Sequence, residues 1–254
     1  MRALILSDIH GNLEALTAVL DAAAAIPGAW QELWNLGDIV GYGGSPNQVI
    51  DRLRPLAVLN VRGNHDRVCA GATSSLGFNP IARAAALWTN QELTSENLAW
   101  LLTLPQGPIF PSQPDISCVH GSPLNEDQYI LSVRDAWAPL QQMDTDITFF
   151  GHTHIQGGFS QKEHEWHEIH PVYRNRREPE NWTLPLPPGT RHLINPGSVG
   201  QPRDTDWRAA FAIFDTEAQT ITYYRTPYDL TASQGRILMA GLPERLAARL
   251  REGR

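Results

Sequence analysis

The chain has 254 residues, 42% of them apolar, which is ample for a buried core and fits one large α/β domain or two small ones. Its formal charge of −7, from 27 acidic against 20 basic residues, argues against a general binder of duplex nucleic acid or anionic membrane. Cys69 and Cys118 stand alone and far apart, and no run of about eighteen apolar residues or secretory leader pattern occurs, so disulfide scaffolds, Cys-type zinc sites, membrane spans and secretion are disfavoured and a cytoplasmic setting is expected.

Residues 3–6 form a short apolar run that reads as a strand buried on both faces, and it ends at Ser7-Asp8-Ile9-His10-Gly11-Asn12. Leu13, Leu16, Val19 and Leu20 then recur at helical spacing until Pro27-Gly28 stops the run. A second strand, 32–36, runs into Gly37-Asp38, after which Ser45-Pro46 sets a helix start for 47–53. A third, 57–61, ends at Arg62-Gly63-Asn64-His65-Asp66. Residues 79–88 and 95–104 read as helices, with Ser95 as N-cap and Pro105 as stop, forming a helical insertion at about 68–105.

The next strand, 116–119, ends at His120-Gly121. After a short helix at 133–140, the strand 147–150 runs into Gly151-His152-Thr153-His154. Beyond it the texture turns to alternating β pattern at 159–172, 191–194, 209–215 and 220–225, closed by a helical tail from about Thr231 and again from Pro243. Segment 161–189 reads as a protruding loop, with Arg174, Arg176 and Arg177 keeping it soluble and His164, His167 and His170 on solvated surface.

Open α/β sheets place ligand crevices at the C-terminal ends of their strands. Here those ends carry Asp8, His10, Asp38, Asn64, His65, His120, His152 and His154, with no thiolate. Oxygen and nitrogen donors of this mixture suit Mn, Fe, Zn, Ni or Mg. Singly, each has a bland reading: Asp8 and Asp38 as caps or turn residues, Gly63-Asn64 as a turn, His120 as a hydrogen-bonded strand end. Asn12 serves equally as a helix cap or as a phosphate contact. On an alternating strand, His152 and His154 share parity and face one crevice.

The order Asp-x-His, Gly-Asp, Gly-Asn-His-Asp, a lone His-Gly and Gly-His-x-His, between Leu6 and His154, resembles the calcineurin-like metallophosphoesterases. Gly37 to Gly43, Asn79-Pro80 with Trp88-Thr89, and Asn195-Pro196-Gly197-Ser198-Val199-Gly200 resemble their small prokaryotic phosphodiesterase branch. The resemblance implies a four-layer α-β-β-α sandwich of two mixed sheets, with residues 1–254 as a single metallophosphoesterase domain. It implies two divalent metal ions, with Mn first choice: Asp8, His10 and His154 would hold one, Asn64, His120 and His152 the other, and Asp38 would bridge them. Ions about 3.5–4 Å apart repel and need such a shared anion.

The expected reaction is hydrolysis of a small phosphate ester or nucleotide, above all a phosphodiester, by a metal-bridging hydroxide. Asn64 and His65 would contact the phosphoryl group, His65 protonating or stabilising the leaving oxygen. Where the protein-phosphatase branch has an Asp that orients this histidine and an Arg that grips phosphate, Gly41 and Tyr42 stand here, which argues against a protein phosphatase. The rival readings are a non-catalytic metal-binding scaffold on the same fold and a metallo-β-lactamase. The latter's His-x-His normally continues into Asp-His, whereas Ile155-Gln156 follows here. Composition and motif leave physiological substrate, native metal and oligomeric state open.

Overall fold

A computed structural model describes residues 1–28 and 30–254. Its first sheet contains β1 (Arg2–Leu6), β2 (Glu32–Asn35), β3 (Ala57–Asn60), β8 (Glu180–Pro185), β10 (Ala209–Asp215) and β11 (Thr220–Thr226), in the order β3-β2-β1-β10-β11-β8. The second contains β4 (Ile116–Cys118), β5 (Ile147–Phe149), β6 (Gly157–Lys162), β7 (Glu165–Ile169) and β9 (Arg191–Asn195), in the order β4-β5-β9-β6-β7. Each sheet has three parallel strands at one side and antiparallel strands at the other. The expected pair of mixed sheets is therefore present.

Strand alternation divides the core. On β1, Ala3 and Ile5 meet Trp34, Phe149, Phe214 and Ile194 between the sheets, while Leu4 and Leu6 face outward to the helices. That double burial is why the run is apolar throughout. Against the outer face of the first sheet lie α1 (Leu13–Ala24), α2 (Pro46–Leu53) and α5 (Ser95–Leu102). Against the second lies α6 (Val133–Gln142), burying Ala136 and Leu140 on Phe150, Phe159 and Leu193. Helices α3 (Asn64–Cys69) and α4 (Pro80–Glu92) follow β3, and α7 (Leu230–Met239) and α8 (Glu244–Glu252) pack on α4 through Ile237, Leu246 and Leu250. None of the described helices is long and apolar enough to cross a membrane. Cys69 and Cys118 are both buried and free.

Two local expectations need correction. Thr94, not Ser95, caps α5: its side chain accepts from the Asn97 amide, which places Ser95 one residue inside the helix. Segment 161–189 is no simple protruding loop. It contains β7, paired with β6 in the second sheet, and β8, paired with β11 in the first, so residues 170–179 carry the chain from one sheet to the other. Both strands lie at sheet edges; β7 falls within the β pattern read at 159–172, whereas one-sided burial leaves β8 polar and hides it from a hydrophobicity reading. Arg174, Arg176 and Arg177 are exposed on the crossing, and Arg176 donates to the Thr205 carbonyl. His167 and His170 meet Glu165 and Glu168 at the surface, away from any potential ligand cluster among the described residues.

Candidate metal centre

The loops after β1, β2, β3, β4 and β5 converge at one edge of the sandwich. Asp8, His10, Asp38 and His154 form one buried ligand group and Asp38, His120 and His152 a second, each with its ligand atoms within 4.8 Å of one another. Asp38 is common to both. Its Oδ2 lies 3.6 Å from His10 Nε2 and 3.4 Å from His120 Nε2, while Oδ1 accepts the His65 amide at 2.8 Å. Asn64 joins the second group, with Oδ1 3.2 Å from His120 Nε2.

The donor chemistry fits metal ions. A carbonyl oxygen only accepts, so each histidine ring nitrogen bonded to one carries the hydrogen. His10 Nδ1 donates to Val40, His154 Nδ1 to Gln201, His120 Nδ1 to Leu36 and His152 Nε2 to Asp127, at 3.1, 2.6, 2.8 and 3.2 Å. In the neutral rings the other nitrogens are then lone pairs. Yet those of His10 and His154 face each other, Nε2 to Nε2 at 3.1 Å, whereas His152 Nδ1 stands 3.1 Å from His120 Nε2, where the Asp38 carboxylate favours a proton. Two lone pairs at that distance need a positive charge between them, and a carbonyl bonded behind a ligating imidazole is the usual orienting device of metal sites. Asp8 Oδ1, 3.2 Å from His154 Nε2, is buried without a hydrogen-bond partner and completes the first group.

Electrostatics distinguish the groups. Burial holds His10 and His154 well below the usual imidazole range, so at neutral pH no proton neutralises that pair. Burial also drives the Asp8 carboxyl upward. Burial opposes ionisation of Asp38 too, but the charge of His120 overrules it and holds its carboxyl well below the ordinary value. His120 responds in kind: burial would lower it, and the Asp38 carboxylate raises it instead. The Asp38 side of the centre thus favours positive charge.

Backbone geometry aims the ligands. Asp8, His10, Asp38, His152 and His154 all have left-handed backbone, with φ of 53, 49, 54, 65 and 60°. Such a conformation costs a non-glycine residue roughly 1–2 kcal/mol. The expectation that a strand pleat orients His152 and His154 is therefore corrected: β5 ends at Phe149, and two left-handed turns beyond it aim the rings.

Several supporting groups escape a reading of the motif. Asp66 accepts from the amides of Asp38, Ile39, Val40 and Gly63, at 2.9, 2.8, 3.2 and 2.9 Å, fixing the loop that carries Asp38. Its place at the end of the Gly-Asn-His-Asp motif is the signal for it in the sequence. Ser7 Oγ donates to Asp8 Oδ2 at 2.6 Å. The Asn195–Gly200 turn braces the floor: Asn195 Nδ2 donates to the Gly151 carbonyl and Ser198 Oγ to that of Asp8. Asn12 caps α1. Its Oδ1 accepts from Ala15 N and Ser233 Oγ, and its Nδ2 donates to the Gly200 carbonyl.

His65 is held by rings instead of a carboxylate. Tyr42, Phe78 and His10 lie 4.3, 4.5 and 4.9 Å away between centroids, and Nδ1 is buried without a partner. A Cβ on Gly41 would stand 2.6 Å from that nitrogen, so this glycine makes room for the ring. Gly63 is under a stricter demand, since a Cβ there would collide with both the carboxylate and the amide of Asp38. Gly63→Ala is expected to displace Asp38 and weaken metal retention by more than about tenfold, measured by dialysis of the Mn-loaded protein and metal analysis.

A two-sheet α/β sandwich whose strand ends place a shared carboxylate between two histidine groups defines a class: the metal-dependent phosphoesterases. The chain belongs to the calcineurin-like phosphoesterase superfamily, whose domain model matches residues 1–219. It is 34% identical over 253 residues to an uncharacterized protein of Methanocaldococcus jannaschii, covering 98% of this chain and 97% of that one. Among solved structures, a metallophosphoesterase from Sphaerobacter thermophilus is 40% identical, with a TM-score of 0.83 and 100% of both chains covered. A hypothetical protein from Pyrococcus horikoshii shares the fold at 22% identity and a TM-score of 0.79, covering 100% of this chain and 98% of its own.

Proposed function

We propose that the protein is a binuclear-metal phosphoesterase that hydrolyses a small phosphodiester or nucleotide, with residues 1–254 acting as one domain and the helices at about 68–105 as an insertion beside the site. The observation that supports this reading is the pair of candidate ligand groups that share Asp38, one of them with the unprotonated ring nitrogens of His10 and His154 facing each other. Asp8, His10 and His154 would hold one cation, Asn64, His120 and His152 the other, and Asp38 would serve both. Mn is the first choice, with Fe, Zn, Ni and Mg as alternatives for the same oxygen and nitrogen donors. Bound there, two divalent ions supply charge for a phosphoryl oxygen and lower the pKa of water.

The chain's own contribution is positioning and hydrogen bonding. His65 is pressed by burial to about 4, so at neutral pH it is a neutral ring. Its role is then to donate one hydrogen bond to the phosphoryl or leaving oxygen, not to deliver a proton from an imidazolium. Gly41 and Tyr42 leave it without the carboxylate that would raise it, consistent with a good leaving group or a diester. Metal analysis of reconstituted protein, followed by assay against a panel of phosphomonoesters and diesters, tests the reading. Two ions per chain with turnover of at least one ester is expected; two ions with no turnover on any would favour the scaffold alternative.

A further inference from the structure

Two arginines outside the ligand set flank the centre. Arg203 lies three residues beyond the Asn195–Gly200 turn, its amide donating to the His154 carbonyl at 3.1 Å and its Nη2 to Gln201 Oε1 at 3.0 Å. Its guanidinium sits 5.8 Å from the centroid of Tyr42, the ring against both His10 and His65. On the other side it interacts with the hydroxyl of Tyr129, whose ring stacks on His152 at 3.9 Å. Arg203 therefore overhangs both ligand groups. Its Nε is buried with no hydrogen-bond partner.

Arg249 comes from α8, 46 residues later, and its guanidinium is also 5.8 Å from the Tyr42 centroid. Leu246, Ala247 and Leu250 bury the other face of this helix in the cluster that includes Tyr42. The end of α8 is locked to the Arg203 loop, because Gly253 accepts the Thr205 amide at 2.9 Å. Both arginines are thus placed by elements docked on each other. Arg2, Arg54, Arg67, Arg208 and Arg225 each meet a carboxylate. No Asp or Glu ion pair to Arg203 or Arg249 is present among the described residues, although Arg249 Nε donates to the Arg254 carbonyl at the end of α8. Burial and the nearby Arg203 charge both depress the Arg249 guanidinium.

We propose that Arg203 and Arg249 form an anion subsite beside the metal centre that takes a second phosphate of the substrate. The proposal rests on the phosphoesterase reading of the centre. Two guanidinium groups that repel each other at the mouth of a cation site are stabilised by a multiply charged oxyanion, and their planar forks match phosphate. One phosphodiester charge would leave this positive region under-neutralised. The preferred substrates are then small phosphate esters carrying a further phosphate, with Arg203 nearer the scissile group and Arg249 farther out.

Calorimetry on Mn-loaded protein, with thymidine 3′,5′-bisphosphate and thymidine 5′-monophosphate as probes, tests this without requiring turnover. The bisphosphate is expected to bind about tenfold tighter or better. In Arg249→Gln that ratio should fall toward one, and Arg249→Lys should keep part of it. If Arg249 only tethers the end of α8, the glutamine variant will melt earlier with the ratio intact, which would overturn the proposal. Equal affinities in the unmodified protein, or no binding of either probe, would overturn it as well. Parallel assay of bis-p-nitrophenyl phosphate separates the two claims: absent hydrolysis with the bisphosphate preference intact removes the phosphoesterase reading and leaves the subsite standing.

Discussion

Asp38→Asn is expected to lower Mn-dependent turnover of bis-p-nitrophenyl phosphate by more than about a hundredfold. The substitution preserves shape and leaves Oδ1 able to accept the His65 amide. It removes the one charge common to both ligand groups, and an amide nitrogen would take the place of the oxygen that faces His10 and His120. Metal content should fall with turnover, because the shared carboxylate is what offsets repulsion between two cations. His120→Ala should also lose turnover by orders of magnitude while disturbing one group directly. If purified Asp38→Asn kept the unmodified rate with added Mn, the two-metal assignment would be wrong.

Asp66→Ala should lower stability by at least about 3 kcal/mol, because it strands several buried amide groups at once. Asp66 is fully buried and receives four backbone N–H groups from the Asp38 loop and Gly63. For a chain of this size that corresponds to a fall of about 6–12 °C in Tm, read by thermal unfolding of the apo protein. Metal retention should weaken too, since the same amides set the position of Asp38. A Tm unchanged by Asp66→Ala would mean that water replaces the carboxylate at no cost, and that the loop is fixed by other contacts. Asp66 thus positions the loop that carries Asp38.

Much of the molecule is local enough to be written in short windows of residues. The short apolar runs at β1, β2, β3, β4 and β5 announce strands, and Asp8, Asp38, Asn64, His120 and His152 each stand within three residues of the end of such a run. A strand end and the residue after it travel together, so the ligand set could be collected before any contact was known. Helix positions followed from apolar spacing and from Pro and Gly stops. The edge strand β8 was harder: it exposes one face, and its polar alternation resembles that of a surface loop.

The residues of each loop by themselves specified which atoms would be offered to a cation: carboxylates, imidazoles and one carboxamide. Only the tertiary structure decided how they are offered. Left-handed backbone at Asp8, His10, Asp38, His152 and His154 is strained in isolation and persists because packing between two sheets and the Asn195–Gly200 turn over-determine it. The tautomer of each ligand histidine depends on a carbonyl brought from a different loop. Arg203 and Arg249 both reach the Tyr42 ring only because α8 docks beside the loop that follows the turn. Residue chemistry is a property of the chain, whereas distance between segments far apart in sequence comes into being only when the layers close.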